Sequence, residues 1–243
     1  MAYIVNWRDQ QPEVAHLSAI RWAGLKHHTA TPPNAPPECL RLQKVQGIVR
    51  HLLQGRKTSD HHKHDNVEQA YYIISGQGEV LVGDKRYPVG PGDAVYLPAG
   101  IHHQMFNDHN DEWLEHIVLG MQISDADKGD CVICNWSQIP PESDGAGAIR
   151  WRQLTRQDQT PNGCFQALQY IDRETLQAGH QTRVQCEDDF ERVYFILEGK
   201  GILLADEGEQ TLTQGDLVHL PAQTTFTIKN VGDAWLSYMI VAG

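Results

Sequence analysis

The chain is written twice, so whatever fold it adopts has to be built two times over. The segment NWRDQQPEVAHLSAIRW (6–22) returns as NWSQIPPESDGAGAIRW (135–151). Asn6-Trp7, Pro12-Glu13 and Ala19-Ile20-Arg21-Trp22 recur as Asn135-Trp136, Pro141-Glu142 and Ala148-Ile149-Arg150-Trp151, all at one offset. Farther on the offset shrinks. YYIISGQG (71–78) is matched by YFILEGKG (194–201), and GPGDAVYLPAG (90–100) by TQGDLVHLPAQ (213–223). This many matches in order mean a tandem duplication with a few residues lost inside the second copy. The expected division is 1–130 and 131–243. The Pro/Gly-rich IPPESDGAGA then falls inside copy two as a loop and is not a linker.

Each copy reads as β. Apolar runs at Val45–Leu53, Ala70–Ser75, Glu79–Val82, Ala94–Leu97 and Leu114–Leu119 are short and bounded by Gly, Pro, Asp or Asn. SGQGEV and VGDKR are turn signals between them. No convincing helical period runs over twelve residues, although 8–17 or the region after Ser124 has room for a short helix. Many short strands at regular spacing predict an all-β protein of two small jelly-roll barrels in tandem.

Charge and cysteine content narrow the partners. The formal net charge is -11 over 243 residues, which disfavours nucleic acid and anionic membrane surfaces, both of which attract Lys/Arg patches. No apolar run is long enough for a membrane span and the start has no signal-peptide pattern, so a cytoplasmic location is expected. Five cysteines without regular spacing give no disulfide framework. Cys131 and Cys134 form a CxxC, but GDCVICNW reads as a strand, where residues three apart point to opposite faces. Redox pairs of this kind sit at helix starts, so these are expected to be buried apolar thiols.

The chemistry concentrates in HHKHDNVEQAYYIISG (61–76). On a strand His62 and His64 share a face while His61 and Lys63 point away, so two imidazoles aim at one point. Ligands from neighbouring strands would complete a divalent-metal site. Whether the acid Glu68 or the amide Gln69 belongs to it is open at this level.

Together with GDAVYLPAGIHHQMFN (92–107), this stretch resembles the two motifs of the cupin superfamily. The first usually reads His-x-His, three or four residues, Glu, six residues, Gly. The second reads Gly, five residues, Pro-x-Gly, two residues, His, three residues, Asn. Here the second fits without gaps as Gly92, Pro98, Gly100, His103 and Asn107. It implies His103 as a ligand and leaves His102, like His61, a bystander. In the first motif, six residues back from Gly76 is Gln69, not Glu68. The resemblance covers both copies and so implies a bicupin with one divalent ion (Fe, Mn, Ni or Zn) on His62, His64, Gln69 and His103.

Copy two is an internal control. The positions matching the four ligands are Gln185, Glu187, Arg192 and Phe226, while Pro221, Asn230 and the turn glycines persist. The second barrel is therefore expected to be structural, with Arg192 in place of the metal charge and paired to Glu187. Histidines 16, 27, 28, 109, 116, 180 and 219 carry no spacing signal. His51 lies on the preceding strand and Tyr71 shares the parity of Gln69, so both are candidates to face the cavity in a catalytic role. Glu68 has the opposite parity and is expected outside the barrel.

Three neutral imidazoles and an amide leave a divalent ion its full charge, which favours an anionic or chelating small molecule and Lewis-acid polarisation of a carbonyl or hydroxyl. An isomerase, lyase or ketonising activity follows by resemblance to small cupins with a similar glutamine. Oxygen-dependent three-histidine dioxygenases and non-catalytic metal- or ligand-binding cupins are the alternatives, since fold does not fix function. Homodimerisation is expected through the Trp7–Trp22 arm and exposed strand edges.

Overall fold

The computed structural model describes residues 1–31, 36–124, 129–160 and 162–243. Among them the regular secondary structure is almost entirely strand, with three short 3-10 turns at Trp7–Asp9, Pro37–Cys39 and Trp136–Gln138 and no α-helix. Of the two regions with room for a helix, 8–17 holds the end of the first 3-10 turn and the strand Pro12–Ala15. Part of the other, 125–128, lies outside the described residues.

Each copy folds into two facing sheets, as alternating apolar residues require when one face of a sheet must be covered. In the first, the larger sheet runs Val132–Asn135, Asp93–Leu97, Val67–Ser75, Leu114–Gln122, Val45–Leu53, Ala19–His27, Pro12–Ala15. Opposite it lie Lys57–Thr58, His103–Asn107, Gly78–Val82 and Lys85–Val89. The second barrel repeats this with Tyr3–Asn6, Asp216–Leu220, Arg192–Glu198, Leu236–Ala242, Tyr170–Leu176 and Ala148–Arg156, faced by three strands.

The repeated sequences and the sheets do not divide the chain in the same place. Tyr3–Asn6, which opens copy one, pairs antiparallel with Asp216–Leu220 of copy two. Val132–Asn135, which opens copy two, pairs with Asp93–Leu97 of copy one. Two asparagines pin the exchange: the Asn6 side-chain amide donates to Asp216 at 2.7 Å, and that of Asn135 to Asp93 at 2.8 Å. The recurring Asn-Trp is thus an anchor. Trp7 packs edge-on against Trp22 and Trp136 against Trp151, with Arg50 over Trp7 and Arg173 over Trp136. The Trp7–Trp22 arm, expected to meet a second molecule, makes these contacts within the chain.

Strand parity sorts side chains between three cores. On Val67–Ser75, Ala70 and Tyr72 face a cluster shared by both copies, which includes Leu25, Ile48, Leu154, Phe165 and Met239. Tyr71 and Ile73 face the interior of barrel one. Glu68 lies on the shared side. It is outside its barrel, as its parity requires, yet fully buried. Its carboxylate accepts the backbone N–H groups of Gln166, Ala167 and Leu168 at 2.7–2.9 Å. Its counterpart Glu191 accepts those of Gln43, Lys44 and Val45 at 2.8–2.9 Å and pairs with His219 at 2.8 Å. Each copy therefore holds a loop of the other through one buried acid.

Candidate metal centre

The histidine segment departs from the strand expected of it. Residues 61–66 are irregular apart from one bridge, His62 to His103, made by reciprocal backbone hydrogen bonds of 3.2 and 2.8 Å. Gly100 N–H donates to the His64 carbonyl at 2.8 Å and fixes the other end. The convergence predicted from strand alternation is achieved by this cross-linking instead. Gly76, which sets the register of the first motif, has φ +79°, and a Cβ there would lie 2.3 Å from the Trp113 carbonyl oxygen. Only glycine fits that turn.

His62, His64 and His103 come together with nitrogens within 4.8 Å of one another. Ring centroids are 5.1 Å apart for His62–His64, 4.5 Å for His62–His103 and 5.6 Å for His64–His103. The His103 Nδ1–H donates to the Ile101 carbonyl and that of His62 to the Asp60 carbonyl, both at 3.3 Å. That tautomer leaves each Nε2 lone pair free, the arrangement metal-ligating histidines use. Burial, then neighbouring His62 and His64, lowers the His103 pKa to about 3, and burial lowers that of His64. Gln69 lines the cavity beside them. His61 and His102 stack on each other at 4.8 Å and do not join the cluster.

The cavity holds about 260 Å³. Four buried atoms on its wall or beside it, Gln69 Oε1, His103 Nε2, His51 Nε2 and His116 Nδ1, have no hydrogen-bond partner among the described residues. An unmet buried polar atom costs about 1–3 kcal/mol. Three imidazoles and an amide, each with a lone pair to offer, are the donor set that a borderline divalent cation takes, so these residues fit the ion the resemblance implies. Tyr71 and His51 also line the cavity. Burial raises the Tyr71 pKa above its ordinary value and depresses that of His51 well below its own.

Four further lining residues carried no sequence signal. His16 stacks on His62 at 5.1 Å and donates Nδ1–H to Asp60 at 2.6 Å. His116 pairs across strands with His51, and their rings lie 5.5 Å apart. Arg21 and Lys26 reach in from Ala19–His27. His16 sits at a tight hairpin with φ +47° and Leu17 with φ +67°, a conformation rare for such residues and often kept where function needs it.

In copy two the same space is filled. Phe226, Tyr194 and Tyr238 occupy the interior, and the Arg192 guanidinium lies 4.6 Å from the Phe226 ring. Arg192 is buried, donates to Gln185 at 2.9 Å and lies 3.7 Å from Glu187. The predicted ion pair is present. Cys131 and Cys134 lie at and within Val132–Asn135, and burial raises their pKa values to about 12 and about 11, against thiolate chemistry.

Two tandem jelly-roll barrels, one with a histidine cluster in its cavity and one with aromatic side chains at the matching positions, define a class: bicupins. A family profile described as Cupin domain matches residues 49–118 and again 173–242. The chain belongs to the cupin family. A segment of 49 residues is 35% identical to an uncharacterised protein of Methanocaldococcus jannaschii, covering 20% of this chain and 39% of that relative's length. Among solved structures, an Escherichia coli pirin in complex with nickel(II) aligns with TM-score 0.77 at 13% identity, covering 100% of this chain and 98% of that one. A putative glyoxylate-induced protein of Pseudomonas aeruginosa gives 0.76 at 11% identity, covering 99% and 88%. Oxalate decarboxylase from Bacillus subtilis gives 0.72 at 14%, covering 98% and 75%. At such identities the likeness is one of fold. No helix among the described residues is long and apolar enough to cross a membrane.

Proposed function

We propose that this bicupin binds one divalent metal ion in its first barrel and converts a small, oxygenated, acidic metabolite without redox change, as an isomerase, lyase or ketonising enzyme. His62, His64, Gln69 and His103 would hold the ion. The observation that carries the reading is three imidazole nitrogens within 4.8 Å of one another, beside a buried Gln69 Oε1 and His103 Nε2 without partners. Held by neutral donors, a divalent ion supplies Lewis acidity to a carbonyl or hydroxyl and makes the adjacent C–H more acidic.

The chain's own residues supply the rest. His51 is kept neutral by burial, and its Nε2 has no partner among the described residues, so it is placed to accept a proton within the cavity. Tyr71, protonated up to high pH, offers a hydroxyl as donor. The apolar walls Leu53, Met105 and Val118 exclude water from a ligand seated there.

Elemental analysis of purified protein, wild type against His103→Ala, tests the reading. One equivalent of metal in the wild type and none in a variant with an unchanged circular dichroism spectrum is expected. Full occupancy in the variant would sink the ligand set. Oxygen consumption by the loaded protein with a diketone would move the site to the dioxygenase class.

A further inference from the structure

Lys26 and Arg21 reach the cavity because of a bulge. On Ala19–His27 the pairing with Val45–Leu53 slips between Trp22 and Leu25. Before the slip Ala19 and Arg21 face the cavity; after it Leu25 enters the shared core and Lys26 takes the cavity side. Gly24 makes this step, with φ +61° and a position where a Cβ would lie 1.9 Å from the Ile48 carbonyl oxygen. Gly47 opposite clears the room, since a Cβ there would meet the Lys26 Cδ at 3.2 Å and its Nζ at 3.5 Å. A second lobe of about 220 Å³ adjoins the first, and Lys26, His64 and Gln69 line both. Lys26 therefore borders the same space as the candidate ligands.

The two cations are not equivalent. Arg21 donates to the Glu13 carboxylate at 2.9 and 2.5 Å. Lys26 has no hydrogen bond or ion pair among the described residues, and burial, then the Arg21 charge, lowers its pKa to about 8. An ammonium in that position has been taken from water with only the Glu13 carboxylate, already held by Arg21, to offset it, which is unfavourable unless a ligand brings a second counter-ion. Copy two again serves as control. In its register Thr155 stands opposite Tyr170, as Lys26 stands opposite Gly47. The counterpart of Arg21, Arg150, is neutralised by the buried Asp172 at 2.5 Å. Where the histidines are gone, the position of Lys26 holds no cation and the position of Gly47 holds a tyrosine.

We propose that Lys26, supported by Arg21, is the seat for a carboxylate, and that the cavity takes a small diacid. One end, a 2-hydroxy or 2-oxo acid, meets the histidine cluster, and the second carboxylate meets Lys26. The inference rests on the metal-centred reading above and narrows its substrate class. The first lobe has room on the order of eight or nine waters at ~30 Å³ each, which suits a short acid and no polymer.

Calorimetric titration of the metal-loaded protein with lactate, malate and 2-hydroxyglutarate tests this, because the three share one head and differ in the second carboxylate and its reach. At least one diacid is expected to bind tenfold or more tightly than lactate. Lys26→Met should reduce that diacid to the lactate level with metal content and lactate affinity unchanged and a melting temperature no lower than the wild type's, and Lys26→Arg should restore most of the preference. Equal affinity for mono- and diacids in the wild type overturns the proposal, as does a preference that survives in Lys26→Met. Diacid binding that persists after metal removal but is lost in Lys26→Met keeps the seat and overturns the chelating role of the cluster. Binding of none of the three acids overturns both.

Discussion

Gln69 and Glu68 are neighbours with opposite fates, and strand alternation separates them. The amide faces the cavity of barrel one, and the acid faces the other barrel, where three backbone N–H groups take up its carboxylate. Exchanging the amide for an acid measures what its neutrality contributes. Gln69→Glu is expected to retain metal and to weaken binding of an acidic ligand by about tenfold, about 1.4 kcal/mol, since one unit of positive charge in the cavity is cancelled. Equilibrium dialysis with the metal and with malate would read both effects, and an unchanged malate affinity would contradict the charge argument. Motif register alone selected this residue from the sequence. His16 and His116 were invisible there, because their approach to the site depends on a hairpin tip and a cross-strand pairing that spacing does not encode.

The β-strands and the loops they grip show how one duplicated sequence becomes one molecule. The acids Glu68 and Glu191 sit at matching positions and hold matching loops, 166–168 and 43–45, in the opposite copy. Burial pushes the Glu191 carboxyl up, but His219 and the three N–H donors bring it below its ordinary value; at Glu68 burial wins and the pKa rises. Removing Glu191 would strand three donors and His219 in a dry interface. Glu191→Ala is expected to cost about 3 kcal/mol in urea unfolding, with Glu68→Ala costing somewhat less because no histidine is left unpaired. A loss under half a kcal/mol would mean that water reaches the loop and that the acids do not join the barrels. The sequence offered Val45–Leu53, Gly78–Val82 and Asp93–Leu97 to within a residue, and Val67–Ser75 and Leu114–Gln122 three residues short at one end, because alternation and turn glycines are local signals. It did not offer the exchange of Tyr3–Asn6 and Val132–Asn135, since either strand satisfies the same alternation in either sheet.

At the scale of the whole molecule, barrel one is a barrel with a cost. Burial lowers the pKa of His103 and His116 to about 3 and drives that of His51 well below the ordinary 6.5. Between about pH 3 and 6.5 the unfolded chain therefore binds protons that the folded chain refuses. Stability of the metal-free protein must fall as pH drops through that window, by at most about 1.4 kcal/mol per pH unit for each histidine. Urea midpoints at pH 7, 5.5 and 4.5 should decline accordingly, and His116→Tyr should make the decline shallower. Tyrosine is what copy two carries there, where Tyr238 donates to Glu174 at 2.5 Å. A flat profile would place these imidazoles in contact with solvent. The second barrel, with Tyr194, Phe226 and Tyr238 in its interior, has no such histidine set among the described residues.

By itself the sequence determined the duplication, the all-β class, the three histidines and the glutamine beside the acid, and the loss of all four positions in copy two. These are matters of period, register and residue identity, and they survive without coordinates. Only the tertiary structure decided that the copies exchange their first strands and that Glu68 is a tie between barrels. It also decided that His16, His116, Arg21 and Lys26 belong around the cavity. The reason is physical: parity fixes the face of a strand on which a residue lies, but closure of a barrel fixes what that face meets. The bulge at Gly24 changes parity partway along one strand, and with it turns Lys26 toward the histidines.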